Sequence, residues 1–235
     1  MTPPARVISV EARPGPLTID LTHSAVLVID MQNDFGARGG MFERAGIDIS
    51  VIQRAVDPTR CVIATARNAG VPIVYLKMAH RADMSDSGGP NSPHGRRHSR
   101  LCVGDQITSP DGLVSRVLID DTWNTEILPE LSPLPGDTVV RKHRYSGFFE
   151  TDLDARLRAM GVRSLIVTGC TTSVCVESTV RDAMFRDYDC LVLEDCTGQP
   201  ESLGAPRSKH EASLQVIEDI FGSVSSSTAF IRGVG

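Results

Sequence analysis

Residues 164–184, SLIVTGCTTSVCVESTVRDAM, decide how the rest of the chain is read. Ser164 to Thr168 is a short apolar run with β-branched residues, the pattern of a buried strand. Gly169 to Ser173 is small and polar, which suits a sharp strand-to-helix turn. From Val174 onward the apolar residues Val176, Val180, Ala183 and Met184 recur at helical spacing. Cys175 is thereby placed in the first turn of a helix that leaves the end of a buried strand. Backbone N–H groups of a first turn lack intrahelical partners and carry partial positive charge, which favours a thiolate.

Working outward, Ala25 to Ile29 (AVLVI) is apolar on both faces, as a central parallel strand must be, and it runs into Asp30. Open α/β sheets place their chemistry at such strand ends, although a lone Asp there serves equally as a loop or helix cap. The following MQNDFGARGGMF is glycine-rich but lacks the order of a phosphate-binding loop, so no nucleotide is expected. Residues 48–68 read as a helix that Pro58 kinks or restarts. Val71 to Lys77, Thr138 to Val140, Cys190 to Leu193 and Gly222 to Val224 supply further strands. Asp152 to Met160 and Lys209 to Phe221 read as helices, and Asn124 to Leu128 as a short one. The alternation predicts an α/β protein: a three-layer, Rossmann-like fold with a mostly parallel sheet of about six strands. No internal repeat or composition break divides residues 1–235, so one domain is expected. Residues 1–22 are expected to form an irregular arm.

The net charge of −5 is mild and gives no reason to expect nucleic acid or an anionic membrane as partner. No apolar run is long enough to span a bilayer, and the N-terminus lacks a signal-peptide core. The six cysteines show no CxxC pair, which argues for free thiols in a reducing compartment, the cytoplasm.

Residues 80–123 are rich in Gly, Ser, Pro, Arg and Asp. A loop of that length is uncommon unless functional, so a substrate lid or subunit contact is expected. His94 and His98 stand four apart, a metal-binding spacing on a helix. Pro93, Gly95, Arg96 and Arg97 argue against a helix here, and solvated histidines are the expectation.

Three segments, AVLVIDMQNDF (25–35), VVRKHRYSGF (139–148) and VTGCTTSVCVE (167–177), together resemble the isochorismatase-like cysteine hydrolases, a superfamily that includes nicotinamidases and N-carbamoyl amidohydrolases. Their order fits that family over almost the whole chain. The resemblance implies a triad of Asp30, Lys142 and Cys175. It also implies a cis peptide between Cys170 and Thr171, which would aim the Thr171 N–H at the same point as the Cys175 N–H, as an oxyanion hole. RYSGFFETDLD (144–154), VCVESTVRDAMF (174–185) and GGPNSP (88–93) look like ureidoacrylate amidohydrolases; FGSVSSS (221–227) and LVLEDC look more like biuret hydrolases. The expected substrate is therefore a small ureide. Met78 and His80 stand where ureidoacrylate enzymes place an Asn and a Trp. Nicotinamidases carry an Asp-x-His metal motif here, but this chain reads KMAHRAD, so neither a catalytic metal nor any cofactor is expected.

Phe35, Trp123, Tyr145 and Phe148 could wall a pocket for a small planar substrate, and each suits a core position as well. His80 and Gln32 are further candidates. Arg96, Arg97 or Arg100 could meet a substrate carboxylate. Family members are usually dimers or tetramers, so a homo-oligomer is expected. The competing expectations are a biuret or other small-amide hydrolase, vinyl-ether hydrolysis, which Cys175 argues against, and a catalytically silent scaffold, which would need none of the triad.

Overall fold

A computed structural model describes residues 5–201 and 206–235. Six strands form the central sheet: β1 (Ser24–Ile29), β2 (Ile73–Met78), β3 (Thr138–Lys142), β4 (Ser164–Cys170), β5 (Asp189–Gly198) and β6 (Ser223–Ser225). Their order is β6-β5-β4-β1-β2-β3, and every neighbouring pair is parallel. The fold is thus the α/β class read from the alternation of elements. β1 lies centrally, hydrogen-bonded to both β4 and β2.

A period of two sends alternate strand side chains to opposite faces. Val26 and Val28 join the core on one face, while Ala25, Leu27 and Ile29 join the core on the other. β2 divides likewise, with Ile73 and Tyr75 on the first face and Val74 and Leu76 on the second. Helices α1 (Val56–Asn68) and α6 (Ser227–Val234) cover the first face through Val62, Ile63, Ala66 and Phe230. Helices α3 (Leu153–Ala159), α4 (Glu177–Met184) and α5 (Lys209–Val216) cover the second through Leu153, Leu157, Val180, Ala183 and Leu214. Each buried Val, Leu, Ile or Phe side chain here contributes about 1.5–3 kcal/mol by leaving water.

Several expectations are corrected. The irregular arm contains a hairpin, Val7–Val10 against Leu17–Asp20. The 48–68 helix does restart, as Ser50–Arg54 and α1, with Pro58 inside the first turn of α1, where its missing N–H costs nothing. The short 124–128 helix is instead two single turns, Trp123–Thr125 and Pro129–Leu131. Residues 80–123 hold a helix, α2 (Pro93–Arg100), and a hairpin, Gln106–Thr108 against Val114–Arg116. α2 forms because the Ser92 hydroxyl accepts from the Gly95 N–H and Pro93 sits at the first helical position. Among the described residues no helix is long and apolar enough to cross a membrane.

Candidate active site

β1, β3 and the β4–α4 junction deliver one side chain each to the same point. Asp30 follows β1 in the left-handed region (φ 52°), a conformation most residues avoid. Its N–H donates to the Leu76 carbonyl at 2.9 Å, which fixes the turn. Lys142 closes β3 and is 0% exposed. Its Nζ donates to Asp30 Oδ2 at 2.7 Å and to the Arg144 carbonyl at 3.1 Å. The ion pair is therefore fully buried, and Asp30 Oδ1 has no hydrogen-bond partner among the described residues.

Cys175 sits in a wide, π-type turn, Thr172–Val176, that precedes α4, rather than in the first turn of a regular α-helix. The approach to that turn is tight: Gly169 has φ +116°, and a Cβ there would meet the Ile29 carbonyl at 2.0 Å. The Cys170–Thr171 peptide is cis. Gln199 Oε1 accepts from both the N–H and the hydroxyl of Ser173, holding the turn from β5's side.

The electrostatics correct one expectation. Burial pushes the Cys175 thiol up; Lys142 pulls it down and Asp30 pushes it further up. Burial and Asp30 thus both disfavour the thiolate, against the help expected from the backbone N–H groups of the turn. Burial also raises Asp30, against the pull of Lys142. Burial alone would lower Lys142, but Asp30 and Cys175 outweigh it and raise the ammonium. Burial thus disfavours the anionic form of Cys175 and of Asp30 alike, and the Lys142 ammonium opposes it at both.

Cys175 opens onto a pocket of about 220 Å³ lined by Phe35, Phe42, Met78, Arg97, Tyr145 and Thr171, among others. Phe35 and Tyr145 therefore stand where the sequence reading put them. Trp123, Phe148, His80 and Gln32 do not line it. Gln32 is committed to structure: its Nε2 donates to the Met78 and Thr125 carbonyls, and its Oε1 accepts from the Met78 N–H. Phe148 belongs to the second core, tilted against Tyr188 at 5.9 Å. Trp123 starts a single helical turn, and its carbonyl accepts from Asn33 Nδ2. Of the three candidate arginines only Arg97 lines the pocket, and His98, which follows it on α2, lines it too.

His98 is buried and His94 half-buried, so neither is the freely solvated side chain expected. α2 turns them inward against His80, with ring centroids 3.9 Å (His94–His98) and 4.6 Å (His80–His98) apart. His80 is 0% and His98 5% exposed. Burial, then neighbouring positive charge, lowers His94 to about 4 and His98 to about 3. His80 is lowered too, by burial, although Asp86 opposes it.

The isochorismatase domain model matches residues 24–229. The ureidoacrylate amidohydrolase RutB of Cronobacter sakazakii is 40% identical over 223 residues, covering 95% of this chain and 93% of that protein. RutB of Variovorax paradoxus is 41% identical, covering 94% and 85%. Among solved structures, a cysteine hydrolase from Pseudomonas syringae pv. phaseolicola superposes with a TM-score of 0.76 at 28% identity, covering 92% of this chain and 94% of that one. N-carbamoylsarcosine amidase from Thermoplasma acidophilum superposes with a TM-score of 0.63 at 27% identity, covering 87% and 96%.

Proposed function

The chain belongs to the isochorismatase family, and from that premise we propose that it is a cysteine-dependent amidohydrolase that cleaves the C–N bond of a small ureide carrying a carboxylate. The observation that carries this reading is the buried Asp30–Lys142 pair beside a cysteine that opens onto a small, mostly apolar pocket holding Phe35, Phe42 and Tyr145. Relatives named for ureidoacrylate and N-carbamoylsarcosine supply the substrate class.

Cys175 is the nucleophile. As substrate displaces water, Asp30 accepts the thiol proton and the sulfur attacks the carbamoyl carbonyl. The new oxyanion accepts hydrogen bonds from the Thr171 and Cys175 N–H groups; one such donor is worth about 3 kcal/mol. Asp30, now a carboxylic acid, returns the proton to the leaving nitrogen as the C–N bond breaks. A water gives Asp30 its proton, attacks the carbamoyl thioester and releases carbamate, and the proton returns to sulfur. Lys142 remains charged throughout and keeps the carboxylate ionised and aimed. Arg97, on the pocket wall, receives the substrate carboxylate. The homo-oligomer remains part of this reading; exposed Leu113, Val114, Phe185 and Ile220 are apolar surface that a second copy would cover.

The test is hydrolysis of ureidoacrylate, biuret, N-carbamoyl amino acids and nicotinamide by the purified protein, read as released ammonia. Carboxylated ureides are expected to turn over fastest. Turnover of nicotinamide alone would overturn the substrate class, and full activity in Cys175→Ser would overturn the nucleophile.

A further inference from the structure

The three inward histidines lie outside the chemistry above, and their arrangement is unusual. One ring nitrogen from each of His80, His94 and His98 lies within 4.8 Å of the other two. His80 Nε2, His94 Nε2 and His98 Nδ1 are all shut from solvent, and none has a hydrogen-bond partner among the described residues. Buried polar atoms are normally satisfied. Three that converge on one point, from imidazoles alone, ask for an electrophile in common.

We propose that His80, His94 and His98 form a binding site for a borderline divalent transition-metal ion of zinc's class. Imidazole nitrogen is a donor these ions accept, and three of them leave a fourth tetrahedral position for water or a small ligand. The ligand set contains no carboxylate, so it is not the Asp-x-His motif sought in the sequence.

The surroundings are built as a metal site's second shell would be. His80 Nδ1 hydrogen-bonds Asp86 Oδ1 at 3.2 Å, which commits that nitrogen and leaves Nε2 with its lone pair. Asp86 Oδ2 in turn accepts from Arg141 at 2.8 Å, and Asp86 Oδ1 also accepts from the Arg81 N–H. The carboxylate is therefore fixed from three sides. His94 packs edge-on against Tyr145, with ring centroids 5.2 Å apart. Arg144 and Arg97 place positive charge nearby, which works against a cation. Arg144 is partly spent on the Asp86 and His143 carbonyls, and the Asp86 carboxylate is hydrogen-bonded to a proposed ligand, His80.

The elements joined give the ion a role. His80 follows β2, whereas His94 and His98 stand one turn apart on α2. A bound ion would pin α2 to the end of the sheet. Since Arg97 and His98 both line the Cys175 pocket, occupancy would fix one pocket wall. The site does not depend on which bond the pocket cleaves.

The experiment uses full-length protein stripped with a chelator, then titrated with zinc and, separately, cobalt(II). One zinc per chain is expected to survive desalting, and its addition should raise the thermal midpoint. Bound cobalt should show tetrahedral d–d bands with no sulfur-to-metal charge transfer. His94→Ala is expected to weaken zinc binding at least 100-fold and abolish the thermal shift, with His94→Asn as a second variant should the first fold poorly. Cys175→Ser should bind zinc as the wild type does. Failure to retain zinc, unchanged affinity in the His94 variants, or a thiolate charge-transfer band would each overturn the site.

Discussion

Two buried polar clusters sit a few residues beyond neighbouring strands and solve opposite problems. Around Cys175, Asp30 and Lys142 bring opposite charges that cancel at 2.7 Å, and the remaining free atom is one carboxylate oxygen. Around His98, three imidazoles leave three ring nitrogens without a hydrogen-bond partner among the described residues. The first cluster is electrically complete, and the Cys175 thiol supplies the proton it would move. The second is electrically neutral and chemically incomplete. Burial alone therefore does not say what a polar cluster is for; the inventory of unpaired atoms does. Asp34 marks a third case. It is a buried carboxylate with no ion-pair partner among the described residues, held by the Met41 and Leu118 N–H groups and by Asn124.

The sharpest way to break this contrast is to remove the nucleophile. Cys175→Ala is expected to lower turnover of the preferred ureide by on the order of 10⁴-fold or more while leaving the unfolding midpoint in place. Retained turnover would move the chemistry elsewhere, the histidine cluster included.

Breaking the charge balance comes next. Lys142→Met strands a buried carboxylate and is expected to cost about 3–5 kcal/mol in denaturant unfolding. The double variant with Asp30→Asn should cost clearly less than the two single costs added, because neither charge is then left alone. Simple additivity would mean that the pair is not a unit.

Asp34 offers a pH test of a carboxylate with hydrogen bonds but no cation. Burial raises it from 3.8 to about 6 although Asn124 and two N–H groups oppose the shift. Between those values the folded chain keeps a proton that the unfolded chain gives up. Its contribution is thus fully present below pH 3.8 and is lost as pH rises through 6, by about 2–3 kcal/mol. Unfolding of wild type against Asp34→Asn should show a stability difference larger at pH 4 than at pH 7. An equal difference at both would show that Asn124 and the two N–H groups fully offset burial.

The smallest effect concerns the pocket wall between the clusters. Arg97→Gln is expected to raise KM for a carboxylated ureide about 10- to 100-fold, the worth of a charge-assisted hydrogen bond, and to leave biuret nearly unaffected. Equal losses on both would make Arg97 structural.

What was legible in the sequence follows from the same physics. β1 and β4 could be read because a strand buried on both faces must be apolar at every position, and Asp30 and the 169–173 turn interrupt that run abruptly. Lys142 could be placed only through the resemblance, since a lysine at a strand end is ordinarily solvated. α2 was missed because Pro93 and Gly95 disfavour a helix interior, although Ser92-Pro93 is a good way to begin one. Once that helix was discounted, the inward turn of His94 and His98 was lost with it. The hairpin around Asp111-Gly112 is three residues on each side, too short for a period to register. Phe148 stays open between core and pocket wall, and Gln32 a weak candidate, because residue type alone does not say which way a side chain enters.

The account rests on a covalent bond to one sulfur. Turning over a slow carboxylated ureide, quenching with acid and digesting under mild conditions lets mass spectrometry find that bond. A carbamoyl adduct is predicted on the peptide carrying Cys175, present during turnover and absent after substrate is exhausted. Steady turnover with Cys175 unmodified at every time point, or an adduct confined to another cysteine, would contradict it.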